Sequence, residues 1–143
     1  MTASPCPLCA TPGGELLWQS ALYRVVLVDE PGYPGFCRVI LNQHLAEMTE
    51  LASEDRVAIM NAVWAVEEVL RSELSPDKIN LASLGNVVPH VHWHVIPRWL
   101  DDRHFPAPIW AQPMREGHDK VIDTTRLKAA LASRLLMLES FKE

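Results

Sequence analysis

The chain has 143 residues, 48% of them hydrophobic and 22% charged, with a formal net charge of -5. That balance fits one ordinary globular domain with a sizeable core. It disfavours a broad nucleic-acid interface, which needs clustered Lys and Arg, and no apolar run approaches the roughly 20 residues that span a bilayer. The first nine residues hold neither a basic nor an apolar leader region, so a cytoplasmic protein with no nucleic-acid or membrane partner is expected.

Cys6-Pro-Leu-Cys9 comes first, and a CxxC spacing in an intracellular chain points to metal or redox chemistry rather than a disulfide framework. Cys37 reads as a small buried hydrophobe. After the turn at Thr11 to Gly14, the stretches Glu15 to Trp18 and Tyr23 to Val28 read as strands of a hairpin. The turn formers from Asp29 to Gly35 lead into a third strand, Phe36 to Leu41. Ser53 with Glu54 and Asp55 marks a helix start, the hydroxyl serving as cap, and Val57, Met60, Trp64 and Val66 carry that helix to about Leu74. Ile79 to Leu84 and Val91 to Ile96 read as two more strands. Trp99 to Gly117 looks irregular, and Leu127, Leu131, Leu135 and Leu138 predict a last helix from about Thr125 to Phe141. The expected fold is α+β, a five-stranded antiparallel sheet with one long helix and a C-terminal helix, as a single domain over 1–143.

The informative segment runs from Pro89 to Pro97 and alternates His90, His92 and His94 with Val91, Trp93 and Val95. In a strand the imidazoles project to one face and the apolar residues to the other, toward a core. Three imidazoles on one exposed face need a reason, since Thr or Lys would serve there at lower cost. One reading is incidental surface histidines; a second takes the HxH pair as ligands of a catalytic metal hydrolase. In the third, one imidazole is a nucleophile toward phosphorus while its neighbours orient it and neutralise charge. Imidazole suits that role because it is partly neutral at pH 7 and leaves well when protonated.

The run His90-Val91-His92-Trp93-His94-Val95-Ile96-Pro97-Arg98 resembles the signature of the histidine-triad (HIT) superfamily, and the order of elements around it matches over roughly residues 5 to 112. The resemblance implies a hydrolase or nucleotidyl transferase acting on a purine nucleotide, either a dinucleoside polyphosphate or a nucleoside phosphoramidate. His92 would form a covalent nucleotidyl intermediate with a backbone carbonyl holding its other ring nitrogen, and His94 would donate to phosphate or to the leaving group. Gly85 falls just upstream, where that family has a glycine. Asn86 stands where many relatives have Gln, and Val87 replaces a Ser or Thr hydroxyl, so Asn80 and Ser83 are the candidate replacement donors. Asp29 sits near the ribose-binding acid. Arg98 has two readings, a phosphate contact or an ion pair with Asp101 or Asp102. The altered donor at Val87 leaves open a nucleotide-binding protein without useful turnover.

The same resemblance implies a structural zinc held by Cys6, Cys9, His44 and His90, as in some relatives, which would make His90 both ligand and support for the strand carrying His92. A redox CxxC is disfavoured because no helix start is evident after Cys9. Magnesium could accompany a polyphosphate substrate; no organic cofactor is expected. His104 and His118 read as surface residues. The family is usually a sheet-extended homodimer, with Trp99 and Trp110 as candidate contacts or ordinary core.

Overall fold

Alternating apolar residues in Tyr23–Leu27 and Cys37–Leu41 give strands with one face for a core, and Ile59, Val63, Val66 and Leu70 recur at helical spacing on the segment that covers it. The computed structural model describes residues 5–140. Its elements are a helical turn α1 (Pro7–Ala10), β1 (Glu15–Gln19), β2 (Tyr23–Leu27), β3 (Cys37–Leu41), α2 (Ser53–Leu74), β4 (Lys78–Ala82), β5 (His92–Arg98) and α3 (Thr124–Ser140). The fold is the expected α+β one. Phe141, the expected end of the last helix, lies outside the described residues, as do 1–4, 142 and 143.

The five strands form one antiparallel sheet in the order β1-β2-β3-β5-β4. Val25, Val39 and Val95 of its inner face bury against Ile59, Val63 and Leu70 of α2, with Leu127, Leu131 and Leu135 of α3 sealing the same core. Cys37 is fully buried in it, as expected. The opposite face carries two smaller apolar clusters, one of Tyr33, Phe36, Ile96 and Ile109 and one of Leu8, Val26 and Ile40. His92 and His94 lie on that second face.

One local expectation is corrected. Ser53 does not cap α2: it is already helical, Ala52 is the capping residue, and the Ala52 carbonyl takes the amides of Asp55 and Arg56. A helical turn, Pro7–Ala10, starts directly after Cys6 and includes Cys9, because Pro7 is preset for a first helical position; no helix start follows Cys9, as expected. The expected turn at Pro34-Gly35 is real and needs its glycine, for Gly35 has φ +85° and a Cβ there would run into Leu74. Among the described residues no helix is long and apolar enough to cross a membrane.

Candidate active site

In the β3–β5 register Ile40 lies opposite His92 and Arg38 opposite His94, so Arg38, Ile40, His92 and His94 share the face turned away from α2. β5 begins at His92 rather than Val91, because the His90 amide turns back to the Val88 carbonyl and the Val91 amide bonds the Leu45 carbonyl. This face is not exposed: His90, His92 and His94 retain only 1%, 9% and 6% of their accessible surface. The cover over His94 comes from Phe36 and from Trp110, whose ring lies 5.1 Å from that of His94.

Each histidine is oriented by a specific bond. The Nδ1–H of His92 donates to the backbone carbonyl of His90 at 2.6 Å, which leaves Nε2 with its lone pair. Burial lowers the His92 pKa despite that bond, with the charge of Arg38 adding to the effect, so the ring is neutral near pH 7. The Nε–H of Arg38 donates to Nδ1 of His94 at 3.4 Å, so the neutral His94 ring carries its proton on Nε2. Burial first, then His92 and Arg38, push the pKa of His94 down to about 4. Phe36, Arg38 and Trp110 are neighbours of the triad that sequence reading missed as site residues. The available signal for Arg38 was a lone charge inside an otherwise apolar strand.

The upstream donors are only partly free. The Ser83 hydroxyl donates to the His92 carbonyl at 2.9 Å, and Asn80 Oδ1 accepts from Arg98 at 2.7 Å. Asn86 and Val87 are exposed, in the loop that turns at Gly85 with φ +70°. Arg98 is an ion-pair residue and not an open phosphate contact: fully buried, it grips Asp102 through Nε at 2.8 Å and Nη2 at 3.0 Å. Asp101 pairs instead with Lys120. Burial alone would raise the Asp102 pKa, but Arg98 and the amides of Trp99, His104 and Phe105 outweigh it and hold the carboxyl far below its ordinary range.

His104 is not a surface residue. It is buried and stacks on Tyr33, whose hydroxyl lies 2.6 Å from His104 Nδ1 and 3.0 Å from Asp102. The cause is Asp102, which folds the irregular segment after β5 back over Tyr33. His118 is exposed as expected. Trp99 is buried, whereas Trp110 keeps 51% of its surface. Asp29 is exposed at a cavity of about 540 Å³ lined also by Gly14, Leu27, Tyr33 and Lys120, and none of the three triad histidines lines it.

Cys6, Cys9, His44 and His90 converge, their ligand atoms all lying within 4.8 Å of one another. Cys9 Sγ lies 3.3 Å from His44 Nδ1 and 3.5 Å from His90 Nδ1, Cys6 Sγ lies 3.4 Å from His90 Nδ1, and the His44 and His90 Nδ1 atoms are 3.2 Å apart. Tetrahedral zinc with ordinary bond lengths requires edges of about 3.5 Å between sulfur and nitrogen and about 3.3 Å between nitrogens, so the donors fit that ion. His90 donates its Nε2–H to the Leu41 carbonyl at 2.6 Å, which leaves Nδ1 bare for a metal. His92 and His94 belong to no such donor group among the described residues.

The family model for the HIT domain matches residues 14–100. An AP-4-A phosphorylase from Mycobacterium tuberculosis is 27% identical over 127 residues, covering 81% of this chain and 62% of that protein. An asymmetrical bis(5'-nucleosyl)-tetraphosphatase from Schizosaccharomyces pombe is 25% identical over 91 residues, 60% of this chain and 50% of that protein. The chain thus spans between half and two thirds of the length of these curated relatives. A histidine triad protein from Bradyrhizobium japonicum superposes with a TM-score of 0.67 at 26% identity, covering 84% of this chain and 90% of that one. A zinc-bound histidine triad family protein from Mycobacterium smegmatis shares the fold at TM-score 0.62 and 20% identity, over 94% and 96% of the two chains.

Proposed function

Because the chain belongs to the histidine-triad family, whose domain model matches more than half of it, we propose that it is a nucleotide hydrolase or nucleotidyl transferase in which Nε2 of His92 attacks the α-phosphorus of a purine nucleotide. A P–N bond forms as the bond to the leaving group breaks, and the electron pair departs with the leaving group. Water then attacks the same phosphorus, freeing the mononucleotide and the imidazole. The observation that carries this reading is the 2.6 Å bond from His92 Nδ1–H to the His90 carbonyl, which fixes the tautomer with a free nucleophilic nitrogen. Names of distant relatives that process dinucleoside tetraphosphates support the substrate class.

Asn86, exposed just upstream of the triad, is the proposed side-chain donor to the α-phosphate, and Asp29 at its cavity the proposed ribose acid. The role of Cys6, Cys9, His44 and His90 is to hold a structural zinc that pins the N-terminal turn against the sheet; its donor geometry and the zinc-bound fold neighbour support this. When bound, the ion supplies a cross-link and no step of the reaction.

The test is intact-protein mass spectrometry of rapidly quenched mixtures with diadenosine tetraphosphate and with adenosine phosphoramidate, run beside His92→Ala. An adenylyl adduct that requires His92 is expected. Turnover by His92→Ala at the wild-type rate would refute the nucleophile assignment. A nucleotide-binding protein without turnover is the second reading, favoured by Val87, 92% exposed and without a hydroxyl; it predicts nucleotide binding with no adduct.

A further inference from the structure

Three arginines lie on the histidine face, and their partners differ. Arg24 is buried and donates to the carbonyls of Leu8, Thr11 and Pro12. Arg98 is closed on Asp102, Asn80 and Ala107. Arg38, directly across from His94, donates Nε to that imidazole and Nη1 to the Gly13 carbonyl at 3.1 Å, and its guanidinium lies 5.6 Å from the Phe36 ring centroid. Its Nη2 bonds no described residue, and the acid whose charge it feels, Glu30, forms no ion pair with it. A half-buried cation with a donor in reserve therefore abuts the last histidine of the triad.

We propose that Arg38 is the fixed cation of this site, a specificity residue whose guanidinium seats the negatively charged group leaving the α-phosphorus while its Nε–H confines His94 to donating from Nε2. The inference rests on the reading that His92 attacks that phosphorus. Two physical arguments support it. A guanidinium is always charged and matches phosphate oxygens with a planar fork, whereas His94, with Nδ1 already accepting from Arg38, can be protonated there only if Arg38 moves away. His94 therefore offers a hydrogen bond but no readily transferred proton.

The consequence separates two classes of leaving group. When His92 Nε2 bonds to phosphorus, a polyphosphate leaves as the P–O bond breaks and the electron pair stays on its oxygen; the anion needs no proton and gains the attraction of Arg38. An amine leaves as the P–N bond breaks, and its nitrogen must take a proton that neutral His94 does not supply and Arg38 does not surrender. The site is thus built for anionic leaving groups, with Arg38 supplying donor strength that Val87 lacks.

The experiment compares wild type, Arg38→Leu and Arg38→Lys with diadenosine tetraphosphate and with adenosine phosphoramidate. Arg38→Leu should lower kcat/KM for the tetraphosphate at least tenfold more than for the phosphoramidate, the scale of a lost charge-assisted bond, about tenfold to a hundredfold. Arg38→Lys should recover part of the selective loss. Equal losses on both substrates, or none, overturn the proposal, since a merely structural arginine would act on both alike. ATP and adenosine affinities provide the second readout: Arg38→Leu should weaken ATP at least tenfold more than adenosine, and equal weakening also overturns it. If wild type turns over neither substrate but ATP binding still depends selectively on Arg38, the covalent reading fails and the anion seat stands.

Discussion

Trp110 and His94 form the most informative pair at the scale of single residues. The indole lies 5.1 Å from the imidazole, with Phe36 at 5.6 Å and His92 at 4.9 Å closing other sides, and this enclosure is why the His94 pKa sits at about 4. Trp110→Ala should let water reach the ring and raise that pKa toward the ordinary histidine value. An NMR titration of the His94 ring protons measures it, and a value unmoved by the substitution would show that Arg38 and His92 govern it instead. Because half of Trp110 remains exposed, the fold should survive the change. Deleting a largely wet indole removes cover from the site more than it removes core.

Two irregular elements frame the triad, and each depends on one buried charged group. The N-terminal turn hangs on Arg24, whose guanidinium bonds the carbonyls of Leu8, Thr11 and Pro12 just beyond Cys6 and beside Cys9. Arg24→Ala leaves those acceptors without donors and should cost about 1–3 kcal/mol of stability; it should also weaken zinc, read by competition with a chromogenic chelator. Unchanged metal affinity would mean the ligands hold the turn without it. The segment after β5 depends on Asp102, which accepts from Arg98, Tyr33 and the amides of Trp99, His104 and Phe105. Asp102→Ala leaves Arg98 buried and unpaired, and a loss of about 3–5 kcal/mol is expected in urea unfolding. The contrast with the regular elements explains what was legible in the sequence. Strands and helices advertised themselves through apolar periods of 2 and 3.6 residues, and the histidine alternation marked β5 because its apolar partners face the core. The 99–110 segment has no period, so nothing in it announced that Asp102 would fold it over the site, bury His104 and cover His94. Arg38 was hidden for a different reason: its importance lies in the register that sets it opposite His94, and register is a property of paired strands.

For the whole molecule, the burial of neutral histidines should appear as a dependence of stability on pH. His94 is about 4 when folded and has a model value of 6.5. Burial also lowers the pKa of His104, against the charge of Asp102. For such a group the unfolded chain takes up the proton first, so stability is full above pH about 6.5 and is lost as pH falls toward 4. Asp102 acts in a lower window: its folded pKa is depressed, so its contribution is present above the ordinary carboxylate range and disappears only in stronger acid. Metal ligands would confuse the first window, because protons displace zinc from cysteine and histidine. The clean measurement therefore uses a Cys6→Ala, Cys9→Ala background and compares urea midpoints from pH 8 to pH 5 with and without His94→Gln. The background should fall in stability between pH 6.5 and pH 5, and the added His94→Gln should flatten that fall, leaving the share that belongs to His104 and the other buried rings. Parallel curves would assign the acid sensitivity elsewhere and show that the folded protein accommodates a charged His94 beside Arg38, which would also remove the physical basis for an imidazole confined to donating from Nε2.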